Sequence, residues 1–257
     1  MIIDSLQNPK IKNVIKLHEA KYRKKQGLFL IEGEREIEMA LASGINLQAL
    51  FHCSDLTKNL LALDKRLIFE VSKKVFDKIS FRENPDGFLA VAKVSECELK
   101  NIKLSSCPLV LIAEAIEKPG NLGAIARTAE AIGLDVIILI DPKIDMYNPN
   151  VIRASQGAIF DVKIVRSNSK EVLGWCQQNK IQIVATTAKA EKNYIEIDYK
   201  KPTAILVGSE DKGLSKQGLE LSDERIKIPM QGKITSLNVS VATAVVLYEA
   251  VRQRGTK

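Results

Sequence analysis

The chain has 257 residues, 46% hydrophobic and 27% charged, so it can bury one large or two modest cores and is not a disordered polymer. A net charge of +7 favours an anionic partner such as nucleic acid, although plain basic proteins share such an excess. No apolar run approaches the roughly 18 residues of a membrane span, and the start lacks the apolar core of a secretory signal, so a cytoplasmic protein is expected.

Residues 1–26 carry seven basic side chains, Lys10, Lys12, Lys16, Lys21, Arg23, Lys24 and Lys25, against Asp4 and Glu19. Residues 8 to about 25 read as one basic amphipathic helix with Ile11, Val14, Ile15 and His18 on a common face. Gly27 ends it. A strand over Leu28–Ile31 follows, then a helix from Glu34 to Ser43. Strands are predicted over Ala49–His52 and Arg66–Val71 with a helix between them, then a short helix over Lys73–Ile79 and a closing strand over Phe88–Ala92. The four cysteines, Cys53, Cys97, Cys107 and Cys176, show no C-x-x-C spacing, and there are two histidines, His18 and His52. No metal site or disulfide framework is expected; the thiols read as buried small hydrophobes in a reducing compartment.

Residues 95–106 are polar and without periodicity, and the domain boundary is placed there. From Pro108 onward short apolar strands alternate with helices: Leu109–Ala113, Val136–Ile140, Val162–Val165, Ile181–Ala185, Ala204–Val207 and Ile226–Ile228. That pattern predicts a parallel sheet covered on both faces. The last helix, from about Leu237 to Arg252, is apolar nearly all round, so it should be covered on two sides, with Ser236 as its N-cap.

Three loops stand out. The first, after Leu109–Ala113, carries Pro119, Gly120, Asn121 and Gly123, with Arg127 in the following helix. The second, after Ala204–Val207, is Gly208-Ser209-Glu210-Asp211-Lys212-Gly213-Leu214-Ser215. The third runs from Ile228-Pro229-Met230 through Gly232 to Ser236-Leu237-Asn238. Taken singly, they read as a loop asparagine, a solvated arginine, a βα turn and a helix cap. Their common position raises the functional reading, because ligands bind outside the carboxyl ends of parallel strands. Neither G-x-G-x-x-G nor G-x-x-x-x-G-K-[ST] is present, which disfavours nicotinamide and P-loop chemistry.

Together the three loops, in this order and spacing, closely resemble the three motifs of the SpoU (TrmH-like) group of the SPOUT superfamily, AdoMet-dependent RNA ribose 2′-O-methyltransferases. The likeness covers about residues 108 to 252 and includes Tyr147 to Gly157; Leu28 to Gly44 is similar to the start of the family's L30e-like RNA-binding domain. The resemblance implies an α/β chain with an L30e-like RNA-binding domain over 1–95, a linker over 96–106, and a SPOUT methyltransferase domain with a deep trefoil knot over 107–257. It also implies a homodimer formed through the knotted domain, S-adenosyl-L-methionine as cofactor and no metal. The cofactor would contact Gly208, Ile228 and Leu237 through backbone, with Leu206, Met230 and Asn238 nearby. Arg127 is the family's key residue at the reacting ribose. As a guanidinium is a poor base, it would hold a phosphate and stabilise the developing alkoxide, with Asn121 and Glu210 orienting it or the ribose. Ser236 and Asn238 would fix the third loop. The expected substrate is 23S rRNA; the alternatives are tRNA, or a catalytically inactive RNA-binding or ribosome-assembly protein of the same fold. One departure is visible: many relatives have glycine after the motif glutamate, where this chain has Asp211.

Overall fold

The computed structural model describes residues 2–57, 61–95 and 97–255. Among these the chain gathers into two compact units, Met1–Ser95 with Asp145–Asp161, and Glu96–Ile144 with Val162–Lys257. Residues 145–161, which lie inside the consecutive range expected for the second domain, thus pack with the first.

The first unit opens with α1 (Pro9–Leu17) and α2 (Ala20–Gln26), continues through β1 (Leu28–Glu32), α3 (Glu34–Ala42), β2 (Leu47–His52) and β3 (Ile68–Glu70), and closes with α4 (Lys73–Ile79) and β4 (Phe88–Lys93). The strands form a mixed sheet in the order β1-β4-β2-β3, parallel only at β2–β3. Ile11, Val14 and Leu17 of α1 and Val75, Phe76 and Ile79 of α4 pack with Leu30, Phe51 and Leu89 of the sheet in one core cluster. Each such fully buried side chain contributes roughly 1.5–3 kcal/mol. The helix expected between β2 and β3 falls partly on residues 58–60, outside the described residues; the rest of that stretch is turn and a 3-10 turn at Lys65–Leu67.

The single basic helix predicted at the start is two. The break falls at Glu19, whose backbone is extended (φ −96°, ψ 133°). Arg23 is the physical reason. It is 3% exposed, and its guanidinium donates to the carbonyls of Leu17 and His18, the end of α1, at 2.9 and 2.8 Å. Its Nε bonds Asp145 at 2.7 Å. Of the seven basic side chains counted in this stretch, Arg23 is therefore a structural group, while the six lysines are exposed. The same end of the unit is held by Tyr147, whose ring lies 4.3 Å from that of Phe29 and whose hydroxyl donates to the Ser95 carbonyl at 2.6 Å. Cys53 and Cys176 are buried as expected, but Cys97, in the polar connection, is exposed.

The second unit follows β5 (Leu109–Glu114), α5 (Pro119–Ala131) and β6 (Val136–Ile140). After α6 (Pro149–Ser155), which belongs to the first unit, come β7 (Ile164–Ser167), α7 (Ser169–Gln178), β8 (Gln182–Thr186), β9 (Lys192–Asn193), β10 (Thr203–Val207), α8 (Lys216–Glu220), β11 (Glu224–Lys227) and α9 (Val239–Arg254). The sheet is parallel throughout, in the order β7-β6-β5-β10-β8-β11-β9. Every residue of β5, β6 and β10 is buried, as strands covered on both faces must be. Chain order departs to one side of β5 towards β6 and to the other towards β10, so these two central strands deliver their loops to the same edge, the place where such sheets bind ligands.

Helix α9 crosses this unit from edge to edge. Its N-cap is Asn238, not Ser236: the Asn238 side chain accepts from the Ser240 amide at 2.9 Å. At its other end Arg254 donates to the carbonyls of Tyr199, Cys107, Pro108 and Lys201, which lie at the starts of β5 and β10 or just before them. Thr243, Val246, Leu247 and Ala250 are buried, while Val241 (48%) and Tyr248 (52%) remain exposed.

Removing a partner from a buried ion pair costs about 3–5 kcal/mol. Arg23→Met should lower the stability of the first unit on that order, read as a shift in its denaturant midpoint, while the second unit's transition stays in place. Equal midpoints for both proteins would show that Arg23 does not hold the α1–α2 corner.

Candidate active site

The first and second loops leave adjacent strands. β5 and β10 are in register at Ala113↔Val207, and beyond them the chain must turn away from the sheet. After β5 the turn is made at Ala115, in the left-handed region at φ 53°, which lets Ile116 bury and places Lys118 just before α5. After β10 the turn is made at Gly208. A Cβ there would collide with the backbone of Gly213 and Leu214, because the loop folds back on itself through paired Ser209–Gly213 backbone hydrogen bonds of 3.1 and 3.0 Å. The left-handed residue of this loop is Gly213, at φ 65°. Asp211 takes no positive φ, so the departure from glycine costs the backbone nothing; the Asp211 side chain is exposed.

Glu114, at the end of β5, was not singled out in the sequence. It is 7% exposed and accepts from the Ser215 amide at 2.9 Å and the Ser215 hydroxyl at 2.6 Å. Ser215 in turn caps α8 by accepting from the Gly218 amide at 3.0 Å. Gly218 leaves room for this carboxylate, since a Cβ there would stand 2.6 Å from Glu114 Oε2. A buried carboxylate thereby ties the second loop to the strand that carries the first. The available signal was an acidic residue ending an otherwise apolar strand.

Three of the expected site residues meet. Asn121 Nδ2 donates to Glu210 Oε1, and Asn238 Nδ2 donates to the same oxygen at 2.7 Å and to Asn121 Oδ1 at 3.1 Å. These residues are separated by 89, 28 and 117 positions along the chain. Asn238 serves twice, since its Oδ1 also accepts from the Ser240 amide and, at 2.6 Å, from the Ser240 hydroxyl. Lys118 pairs with Glu210 Oε2. The Glu210 carboxyl is held below its usual range, first by Lys118 and then by the hydrogen bonds from Asn121 and Asn238, against the opposing effect of burial. Ile116, Asn121, Glu210 and Val239 line a shallow pocket here.

Two expected site residues stand apart from this cluster. Arg127 is exposed on α5, and Ser236 is exposed before α9; among the described residues neither makes a side-chain hydrogen bond or ion pair. Of the positions expected around a cofactor, Leu206 and Gly208 are buried, and Ile228, Met230 and Leu237 are half-buried. From Ile228 to Leu237 the backbone makes no hydrogen bond among the described residues. At the end of β8, between the strands leading to the second and third loops, the buried Thr186 hydroxyl has no hydrogen-bond partner among the described residues. Most of the backbone from Ile228 to Leu237 is exposed and can bond water, whereas a buried hydroxyl without a partner is costly unless something binds it.

Gly208→Ala should open the second loop without unfolding the sheet. Hydrogen exchange should quicken at least about tenfold for the amides of residues 209–215 and stay unchanged in β10, as expected when local opening is separable from global unfolding. Unchanged protection of the loop would mean that it accommodates a Cβ after all.

Comparison with known proteins places this geometry. The SpoU rRNA Methylase family model matches residues 108–248, and the MRM3-like substrate binding domain matches residues 8–90. The 23S rRNA (guanosine(2553)-2′-O)-methyltransferase RlmP of Bacillus subtilis is 34% identical, with 96% of this chain and 97% of that protein aligned. A crystal structure of an RNA 2′-O ribose methyltransferase is 42% identical with a TM-score of 0.84, covering 99% of both chains. The AdoMet-bound rRNA methyltransferase of Sinorhizobium meliloti is 29% identical with a TM-score of 0.89, covering 100% of this chain and 99% of that one. With the family model spanning more than half the chain and a relative aligned almost end to end, the chain belongs to the SpoU rRNA methylase family.

Proposed function

We propose that the protein is an AdoMet-dependent RNA methyltransferase that acts on a ribose 2′-hydroxyl of 23S rRNA. The observation that carries this reading is the convergence of Asn121 in the first turn of α5, Glu210 in the loop after β10 and Asn238 at the N-cap of α9 into a single hydrogen-bonded cluster at the carboxyl edge of β5 and β10. A relative aligned over nearly its whole length bears a 23S rRNA 2′-O-methyltransferase name.

The residues fit the cofactor. The backbone of Ile228 to Leu237 and the buried Thr186 hydroxyl, neither hydrogen-bonded among the described residues, offer donors and acceptors, a setting suited to a nucleoside with a methionine tail. In this reading Gly208, Ile228, Met230, Leu237 and Asn238 hold the group, largely through backbone. When bound, it supplies an electrophilic methyl carbon on a sulfonium.

The chain's own contribution is alignment and charge. Holding the acceptor oxygen in line can supply several kcal/mol. Arg127, exposed and without a side-chain partner among the described residues, is available to grip a phosphate of the RNA and to stabilise the 2′-alkoxide as it develops. Asn121 and Glu210 orient the ribose or Arg127, and Asn238 locks the start of α9 to them. Ser236 acts from the third loop once that loop is occupied. Six exposed lysines on and around α1 and α2 give the first unit, read as L30e-like, a surface for tracking RNA phosphate.

The same reading includes the family's knot, its dimer and a cytoplasmic setting. The path of the chain supports the knot: it leaves the sheet at β11, two strands away from β10, and returns to the β5–β10 edge at Asn238. Val241, half-buried Val245 and Tyr248 fall on one stripe of α9, which supports a second copy as the cover for that face. Among the described residues no helix is long and apolar enough to cross a membrane.

Labelled methyl transfer from AdoMet to separated, unmodified 23S rRNA, 16S rRNA and tRNA should load 23S rRNA alone, with label at an alkali-resistant ribose. Label in tRNA would move the substrate, and AdoMet binding without transfer to any RNA would favour the inactive RNA-binding reading. Arg127→Ala should cut transfer by about 10²-fold or more while leaving AdoMet binding nearly intact; normal turnover would remove Arg127 from the mechanism. Val241→Glu with Tyr248→Glu should convert a dimer to a monomer by light scattering, and an unaltered mass would refute this interface.

A further inference from the structure

Lys118 stands at the mouth of the Asn121–Glu210–Asn238 cluster, and none of the family's three motifs as matched here includes it. Its Cα is fixed by position, as the N-cap residue of α5 immediately before Pro119. Its ammonium reaches across to the second loop and pairs with Glu210 Oε2, while the other oxygen, Oε1, takes both asparagine donors. The Glu210 side chain is only 17% exposed. Among the described residues Lys118 is the one cation paired with this carboxylate, and Asp211 and Glu117 are the further charged groups acting on Lys118.

Resting on the methyltransferase reading above, we propose that Lys118 is a positioning residue for methyl transfer: it holds the Glu210 carboxylate in place and, through it, Asn121 and Asn238. The geometry makes the division of labour specific. A carboxylate accepting two amide donors on one oxygen can still swing about that oxygen; the Lys118 ammonium, in ion-pair contact with the second oxygen, restrains that swing by charge, since among the described residues that oxygen takes no hydrogen-bond donor. Restraining the carboxylate restrains the direction of the Asn238 amide, whose Oδ1 caps α9, so the pair sets the relation of all three loops.

Charge supports the same role. Lys118 is held above the usual lysine range, first by Glu210 and then by Asp211 and Glu117, while Glu210 is held below the usual carboxylate range, first by Lys118. Both partners therefore stay ionised at neutral pH. A lysine so exposed (66%) is cheap to replace, so its loss should be felt in the site and not in the fold.

The test compares wild type, Lys118→Met and Lys118→Arg on the unmodified RNA that wild type methylates. Lys118→Met should lower kcat about ten- to a hundredfold, the scale expected for a small misplacement of reacting groups. KM for RNA and the salt dependence of RNA binding should stay unchanged. Lys118→Arg should recover most of the loss. Carbon-13 NMR of the Glu210 carboxyl should show its titration moving to higher pH in Lys118→Met and returning in Lys118→Arg. Preserved kcat with a raised KM and a shallower salt slope would overturn the proposal and make Lys118 a phosphate contact. An unmoved Glu210 titration would overturn it equally, and that readout needs no RNA. Failure of wild type to methylate any RNA would instead count against the methyltransferase reading alone.

Discussion

The arrangement of the second unit depends on one carboxylate that cannot be left unpaired. Glu210 sits on a turn closed by paired Ser209–Gly213 backbone hydrogen bonds, so tight that it admits only glycine at position 208, at the edge of a sheet whose central strands are wholly buried. Its oxygens draw in Lys118 and Asn121 from the N-cap and first turn of α5 and Asn238 from the N-cap of α9. Of these groups Asn121 is buried and would be costly to leave unpaired, whereas Lys118 and Asn238 are exposed. The cluster thus closes three chain segments with side-chain hydrogen bonds and one ion pair. Glu114 repeats the device one layer deeper, where a buried carboxylate secures Ser215 and with it the exit of the same loop.

The rest of the unit sets the frame within which that cluster can form. α9 is fixed at both ends by polar side chains, Asn238 at the carboxyl edge of the sheet and Arg254 at the opposite edge. A helix clamped in this way cannot slide along the sheet to relieve a misfit at its start. The register of α9 against β5 and β10 is therefore also the register of Asn238 against Asn121 and Glu210. Stability and chemistry share the same few atoms, and the third loop, from Ile228 to Leu237, is left as the part with backbone to spare for a ligand.

Much of this was legible in the sequence. Apolar strands alternating with helices announced the parallel sheet, because burial on both faces leaves a period-free run of Val, Ile and Leu. The three loops were found because glycine, proline and asparagine mark sharp exits from strands, and their order and spacing match one family. Other features were not legible, for identifiable reasons. Arg23 looked like one more exposed basic residue, since nothing local distinguishes a surface arginine from one that caps the preceding helix and binds Asp145, 122 positions away. Asn238 displaced Ser236 as helix cap because its second amide function is satisfied by residues far along the chain, which no local propensity can register. The cost of Asp211 could not be judged until the left-handed position of the loop was seen to fall on Gly213.

The assignment of residues 145–161 to the first unit has a consequence for anyone who would retarget such an enzyme. The polypeptide leaves the second unit after β6, supplies α6 and the Asp145 that pairs with Arg23, and goes back to begin β7. The two units are accordingly joined by three covalent crossings and not by one hinge. A chimera that exchanges only the amino-terminal ninety-odd residues would import a foreign sheet and keep the host's α6, leaving the Arg23 partner and the Phe29–Tyr147 contact to chance. Modular exchange in this architecture has to treat the two stretches as one cassette, and natural drift in either should leave its trace in the other.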